Sequence, residues 1–182
     1  MRKFKISFLC LLILLSLVNS SQAEESKIKI GVLTALSGDF ASYGKVVKDA
    51  VERVSAPRVK WIFENDGCEV KQTLSSFKKL VTIDKVKFII GPICGSSQKA
   101  LAPLVNSHQA IVVFPNATSE LLYKDSKNTL FSSQYSVETE ARFIADQMNQ
   151  RSLKKVAIIS VDSDFSRSME RGFLERYKGE VM

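Results

Sequence analysis

The sequence predicts an α/β protein: a doubly wound parallel sheet followed by an incomplete second α/β lobe. Three observations carry this. Short apolar runs alternate with helical patterns along the chain, the order that gives a parallel sheet with helices on both faces. The runs at 86–90 and 110–114 are almost continuously apolar, as strands buried on both sides are. Parallel neighbours need right-handed crossovers, which leaves few topologies for strand–helix units of this length.

Ile28, Ile30 and Val32 open the first strand, within 27–33. Val46, Val47, Ala50, Val51 and Val54 recur at helical spacing, and Pro57 ends that helical region. Val59, Trp61 and Phe63 alternate with Lys60, Ile62 and Glu64, a strand with one less buried face. Asn65-Asp66-Gly67 is a turn. Leu74, Phe77, Leu80 and Val81 line the next helix, which leads to a third strand at 86–90 ending on Gly91-Pro92. Ala100, Leu101, Leu104 and Val105 mark a third helix, followed by a strand at 110–114 closed by Pro115 and a weaker one at 129–133. Ser136 is an N-cap for the next helix, and Glu138 stands in its first turn, where the helix dipole favours a negative charge. Ala141, Ile144, Ala145 and Met148 are its apolar stripe. A buried strand at 156–161, a helix carrying Met169, Phe173, Leu174 and Tyr177, and the first residues of another strand at 178–182 complete the chain. The first lobe is therefore expected at 24–134 and the second from 135 to 182, where it is incomplete, since one strand cannot build a doubly wound lobe.

The first 23 residues read as a cleavable secretory leader. Arg2, Lys3 and Lys5 precede an apolar run of 13 residues at 6–18, broken by Ser7, Cys10 and Ser16, and Ser21-Gln22-Ala23 offers a small-x-small cleavage site. The run falls short of the roughly 20 residues that span a bilayer. Cys10 lies inside it, so no cysteine is placed for lipid attachment, and an exported soluble protein is expected. Of the formal charge of +7, three units sit on the leader, leaving +4. The remaining Lys and Glu are mixed along the helices without a basic run, which excludes nucleic acid as a partner.

Cys68 and Cys94 survive cleavage. In an oxidising compartment an even pair reads as a disulfide, here closing a loop of 27 residues; two buried thiols are the alternative. The two follow the second and third strands. Taken as equivalent ends of neighbouring parallel strands, they are expected to approach the Cα separation of about 5.5 Å that a disulfide prefers.

Ligands of open parallel sheets bind beyond the carboxyl ends of the strands. Three such ends are 37–44, 91–97 and 115–119. The last two are rich in small hydroxyl residues at expected helix starts, where free N–H groups and the dipole favour a carboxylate. Simple capping needs the same residue types, but two such starts facing one crevice point to a site, with Ser96 and Thr118 as contacts for a carboxylate-bearing solute. Enzyme motifs are absent: no Gly-x-Gly-x-x-Gly, no phosphate loop, no Cys-x-x-Cys. His108 is the single histidine, late in the third helix, a surface or capping position. Cys94 occupies a strand-to-helix turn without the Gly-x-Ser-x-Gly spacing of a nucleophile elbow. Asp162, Ser163 and Asp164 read as a turn or cap more readily than a cation site. No metal and no cofactor is expected. Asn116-Ala117-Thr118 fits a glycosylation sequon.

The segments 28–44 (IKIGVLTALSGDFASYG), 91–97 (GPICGSS), 114–121 (FPNATSEL) and 155–173 (KVAIISVDSDFSRSMERGF) together resemble the type I periplasmic binding proteins of branched-chain amino acid ABC importers, grouped with the receptor-family ligand-binding regions. The resemblance covers essentially the whole chain after the leader. It implies a non-enzymatic periplasmic protein that captures an amino-acid-like solute in an interlobe cleft and delivers it to an inner-membrane ABC permease. It places a ligand carboxylate at Gly95, Ser96 and Thr118, turns the Asn116 carbonyl toward an ammonium, and makes Tyr43 a cleft residue. Ile93 and Cys94 become pocket wall, Phe165 an aromatic from the second lobe, and Cys68–Cys94 matches a disulfide of some members. Gly95 stands where a serine is common, and Val137 where an aspartate is often found. Members of the family are longer and return to the first lobe, so the chain is expected to stop partway through its second. A truncated remnant without a working cleft and an exported α/β enzyme using Cys94 are the alternatives.

Overall fold

The computed structural model describes residues 27–54, 56–124 and 126–182, so the expected leader at 1–23 lies outside them. β1 (Ile28–Thr34) is the hub of a five-stranded sheet with the order β2-β1-β3-β4-β5, in which β2 is Val59–Asn65, β3 Phe88–Ile90, β4 Ile111–Phe114 and β5 Leu130–Ser132. Every pairing is parallel. β1 sets Ile30 beside Trp61 on one edge and beside Phe88 on the other. Its last residues, Val32, Leu33 and Thr34, are buried because the strand has a neighbour on each side and helices above and below.

The crossovers are α1 (Ala41–Glu52), α2 (Val70–Lys78) and α3 (Gly95–Ser107). α2 continues as a π-helical turn, Lys79–Ile83, which carries Leu80 into the core. There Phe77 and Leu80 pack with Leu33, Ile89, Leu101 and Val112. Val86 is buried as expected but precedes β3, its N–H donating to the Leu80 carbonyl. His108 ends α3 as a cap; its Nδ1 lies 2.9 Å from the Leu104 carbonyl and its ring meets Phe77 edge-on.

One premise about the cysteines fails. β2 and β3 are not neighbours; they flank β1. The disulfide nevertheless forms, with a Cα separation of 5.5 Å. It passes across the end of β1, against which both exits are held: Asp66 N–H donates to the Thr34 carbonyl at 3.1 Å, and an added Cβ on Gly91 would lie 1.9 Å from the Leu33 carbonyl oxygen.

The second unit comprises α4 (Val137–Gln150), β6 (Lys155–Val156), α5 (Asp164–Leu174) and β7 (Glu180–Val181), with β6 and β7 forming a separate two-stranded parallel sheet. Ser136 caps α4 as read, its Oγ accepting from Thr139 N–H at 3.1 Å, and Ser163 caps α5 in the same way through Ser166. The helices cross backbone to backbone at Gly172, where an added Cβ would lie 2.6 Å from Glu138 Cα. The expected buried strand at 156–161 is corrected: pairing stops at Val156, and Ile159 and Val161 are 96% and 75% exposed. An apolar strand of that kind is buried only between two neighbours and two helical layers. Here it has β7 on one edge and α4 and α5 as its packing partners.

Candidate functional site

With strand order 2-1-3-4-5, the chain reverses its direction of travel across the sheet between β1 and β3, and ligands of such sheets bind in the crevice at that point. The loop leaving β1 is held by Asn65, whose Oδ1 accepts from Leu36 N–H at 2.8 Å and whose amide donates to Ser37 Oγ at 2.7 Å. α1 then begins tightly against this loop: a Cβ on Gly44 would lie 1.7 Å from the Ala35 carbonyl oxygen. Tyr43, 65% exposed, projects from that start with its ring centroid 6.4 Å from that of Phe40.

β3 leaves the sheet through Gly91, at φ +100°, where a Cβ would lie 1.9 Å from the Leu33 carbonyl oxygen. Only glycine fits both the conformation and the approach. Cys94 follows as the N-cap of α3 in extended conformation and supplies no capping side chain, so the first turn at Gly95 and Ser96 lacks a side-chain cap. Ser96 is exposed, whereas Ser97 is buried and accepts from Thr73 Oγ at 2.7 Å. Cys94 sulfur is bonded to Cys68, so it offers no thiol nucleophile.

Asn116 has an inward role that the sequon reading missed. Its amide donates to the Ile93 carbonyl at 2.9 Å, and its Oδ1 accepts from the buried Gln98 at 3.0 Å. The side chain thus ties the exit of β4 to the entry of α3. The Asn116 carbonyl accepts from Ser132 Oγ at 3.0 Å.

Thr118 follows in the loop between β4 and a four-residue 3₁₀ turn, Glu120–Tyr123, where an α-helix start was expected. It is 2% exposed, and its hydroxyl has no hydrogen-bond partner among the described residues. Its carbonyl accepts from Val137 N–H at 3.1 Å. A buried hydroxyl left unpaired costs about 1–3 kcal/mol, so the position favours whatever supplies the partner.

Phe165, 48% exposed, is the second residue of α5. A Cβ on Gly95 would lie 3.5 Å from Asp164 Cβ and 3.6 Å from Phe165 N, so the start of α5 abuts the start of α3. Lys99 and Asp164 pair across the junction at 3.3 Å. The hydrogen bond from Arg167, helped by Lys99, holds the Asp164 carboxyl below its ordinary range. The structure therefore brings Ile93 to Asn116 and Gly95 to Phe165, while Tyr43 packs on Phe40.

Two buried acids were not legible as anything but turn and cap residues. Asp66 is fully buried; its Oδ1 accepts from Cys68 N–H at 3.2 Å, and burial pushes its carboxyl up. Glu138 is also fully buried. It accepts from Ser119 Oγ at 2.6 Å and from Glu120 N–H at 3.0 Å, and it pairs with Arg171. Burial works to raise its carboxyl, but the Ser119 and Glu120 donors and the Arg171 guanidinium outweigh it and hold the group below its ordinary range. Arg142 lies alongside, bonded to Glu120 at 2.7 Å and to Glu175 at 2.8 Å.

Residues 27–180 match the family described as periplasmic binding protein. The Leu/Ile/Val-binding protein of Citrobacter freundii is 24% identical over 180 residues, covering 91% of this chain and 47% of its own length. The Leu/Ile/Val-binding protein of Escherichia coli K12 is 24% identical over 178 residues, covering 90% and 47%. Among solved structures, a solute binding protein of an ABC transporter from Rhodopseudomonas palustris BisB5, in complex with 3,4-dihydroxy benzoic acid, superposes with a TM-score of 0.76 at 20% identity, covering 87% of this chain and 46% of that one. A branched-chain amino acid transporter substrate binding protein from Streptococcus pneumoniae, in complex with isoleucine, gives 0.71 at 22%, covering 86% and 48%. These structures show that the fold is shared. The chain spans about half the length of the curated relatives it matches.

Proposed function

The chain belongs to the periplasmic binding protein family, and on that footing we propose that it is the solute-binding component of an ABC importer, working in the periplasm after removal of a leader at 1–23. Its lobes are 24–134 and 135–182. The solute is a branched-chain amino acid or a similar small carboxylate or amide, captured between the lobes and passed to a permease of the inner membrane. The proteins named above as binding Leu/Ile/Val, isoleucine or dihydroxybenzoic acid differ in side chain but share a carboxylate in what they bind.

The buried hydroxyl of Thr118, without a hydrogen-bond partner among the described residues and at the ligand edge of a parallel sheet, is the observation that carries this reading. Ser96 and the amides of the first turn of α3 supply further donors. The start of that helix has no capping side chain to compete for them. Ile93, Cys94 and Gly95 form the wall, and Tyr43 and Phe165 add exposed rings. The Asn116 carbonyl keeps one lone pair beside the Ser132 bond for an ammonium. Asn116's side chain sets the loop geometry and does not contact solute. The chemistry is capture and release, without a catalytic step.

An NMR titration of the chain with L-isoleucine, 4-hydroxybenzoate and L-leucinamide tests this, since it reads affinities into the millimolar range. The two carboxylates should shift Thr118 and the first turn of α3 at lower concentration than the amide, whose neutral oxygen accepts the same hydrogen bonds more weakly. Thr118→Val removes the hydroxyl with little change of shape and should cost on the order of 1.5–3 kcal/mol, tenfold or more in affinity. Unchanged affinity in both Thr118→Val and Ser96→Ala would sink the site and leave the fold intact.

A further inference from the structure

Glu138 has no exposed surface and belongs to none of the positions given a solute contact above. A carboxylate is retained in such a place only where fixed donors replace its hydration. Here the donors come from two directions. Ser119 Oγ and Glu120 N–H, at 2.6 and 3.0 Å, lie in the loop directly after Thr118. Arg171 arrives from α5, and it also donates to Ser119 Oγ at 3.2 Å and to Ser168 Oγ at 3.1 Å. One residue earlier, Val137 N–H donates to the Thr118 carbonyl at 3.1 Å. The backbone of 118–120 is thus bonded at both ends to the first turn of α4. At the same spot α5 passes so close that a Cβ on Gly172 would fall 2.6 Å from Glu138 Cα. α5 therefore cannot shift across α4 without disturbing the Glu138–Arg171 pair, and that pair cannot change without moving Ser119.

We propose that Glu138 is the positioning residue of the solute site: with Arg171 it clamps the 118–120 loop to α4 and α5, so that the setting of Thr118 and the setting of the second lobe are one equilibrium. The solute part of this rests on the reading of Thr118 as a carboxylate contact; the mechanical part rests on the bonds themselves. Coupling of this kind is reciprocal. A carboxylate that holds Thr118 also holds α5, and a loosened α5 weakens the carboxylate. Arg142 reinforces the same junction from outside by joining Glu120 to Glu175, whereas Lys155, paired with Glu180 at 2.7 Å between β6 and β7, lies outside the clamp and serves as the control.

The test compares the parent chain with Glu138→Gln, Arg171→Lys and Lys155→Met by amide hydrogen exchange and by titration with L-isoleucine, read at Thr118. Glu138→Gln keeps the shape but turns part of the acceptor toward its donors as an amide. Its Glu120 and Val137 amides should exchange at least about tenfold faster while β1, β3 and β4 keep their protection, since local opening is separable from global unfolding. Isoleucine affinity should fall at least about fivefold, and Arg171→Lys should lie between Glu138→Gln and the parent in both readouts. Lys155→Met should match the parent. Acceleration spread evenly over the sheet, or none at 120 and 137, overturns the proposal. If Glu138→Gln does not fold, Arg171→Lys alone decides it by the same local pattern. A parent chain whose Thr118 ignores isoleucine and 4-hydroxybenzoate counts against the proposed function instead, and the clamp is then decided by exchange alone.

Discussion

Replacing both Cys68 and Cys94 with alanine removes a cross-link that ties the exits of β2 and β3 across the end of β1. The two residues are 26 apart in sequence, and for a loop of that size the chain-entropy relation gives about 3.5 kcal/mol of lost stability. A small part is regained. Cys68 sits at φ +59°, a left-handed conformation that costs an L-residue roughly 1 kcal/mol, and an untethered loop can leave it. A net loss of about 2–4 kcal/mol therefore stands, and at some 2–4 °C per kcal/mol for a chain of this length the melting temperature should fall by about 10 °C. Thermal melts of the oxidised parent, the reduced parent and the double variant check this. The last two should coincide, because both lack the same constraint. A double variant melting within about 2 °C of the oxidised parent would mean that the bond adds nothing, and that the loops are held by their own contacts, chiefly those of Asn65 and Asp66.

Two further substitutions probe single features. Gly172→Ala drives a methyl into the Glu138 backbone at the α4–α5 crossing, and overpacking of this kind costs about 1–3 kcal/mol; calorimetric melts should show the loss, and unaltered stability would mean the helices slide apart at no cost. Asp66→Asn tests burial of a carboxyl whose folded value is raised above the ordinary 3.8. A raised carboxyl contributes stability that is complete below its unfolded value and is lost as pH rises through the folded one. The asparagine should therefore gain on the parent as pH climbs from 4 to 7, while still accepting from Cys68 N–H. A stability difference that is flat with pH would contradict the assignment.

The parts of the fold legible in the sequence were those fixed by local pattern. The apolar runs at β1 and β4, the turn at Asn65-Asp66-Gly67 and the cap at Ser136 are all where period and cap chemistry put them. The cysteine pairing was legible from an even count and the export expected of the chain, although the strand adjacency offered for it was not the true one, since sheet order is set by packing of distant elements. The run at 156–161 was misread for a related reason: apolar composition reports how much burial a strand can use, and the burial itself depends on neighbours. Glu138 shows the same gap for the site. Nothing in a single sequence links 119, 138 and 171, so a glutamate in a first helical turn looks like dipole compensation until α5 brings Arg171 to it. Asn116 likewise reads as a sequon or a ligand contact, and only the approach of Gln98 and Ile93 turns its amide inward.

The central claim is that the carboxyl edge of the first sheet receives a solute carboxylate at Thr118, and a crystal structure of the protein grown with L-isoleucine or 4-hydroxybenzoate tests it most directly. A carboxylate oxygen should lie within hydrogen-bond reach of Thr118 Oγ, about 2.5–3.0 Å, with its other oxygen toward the first-turn amides of α3. A solute seated elsewhere, with the Thr118 hydroxyl still unpaired, would contradict the account.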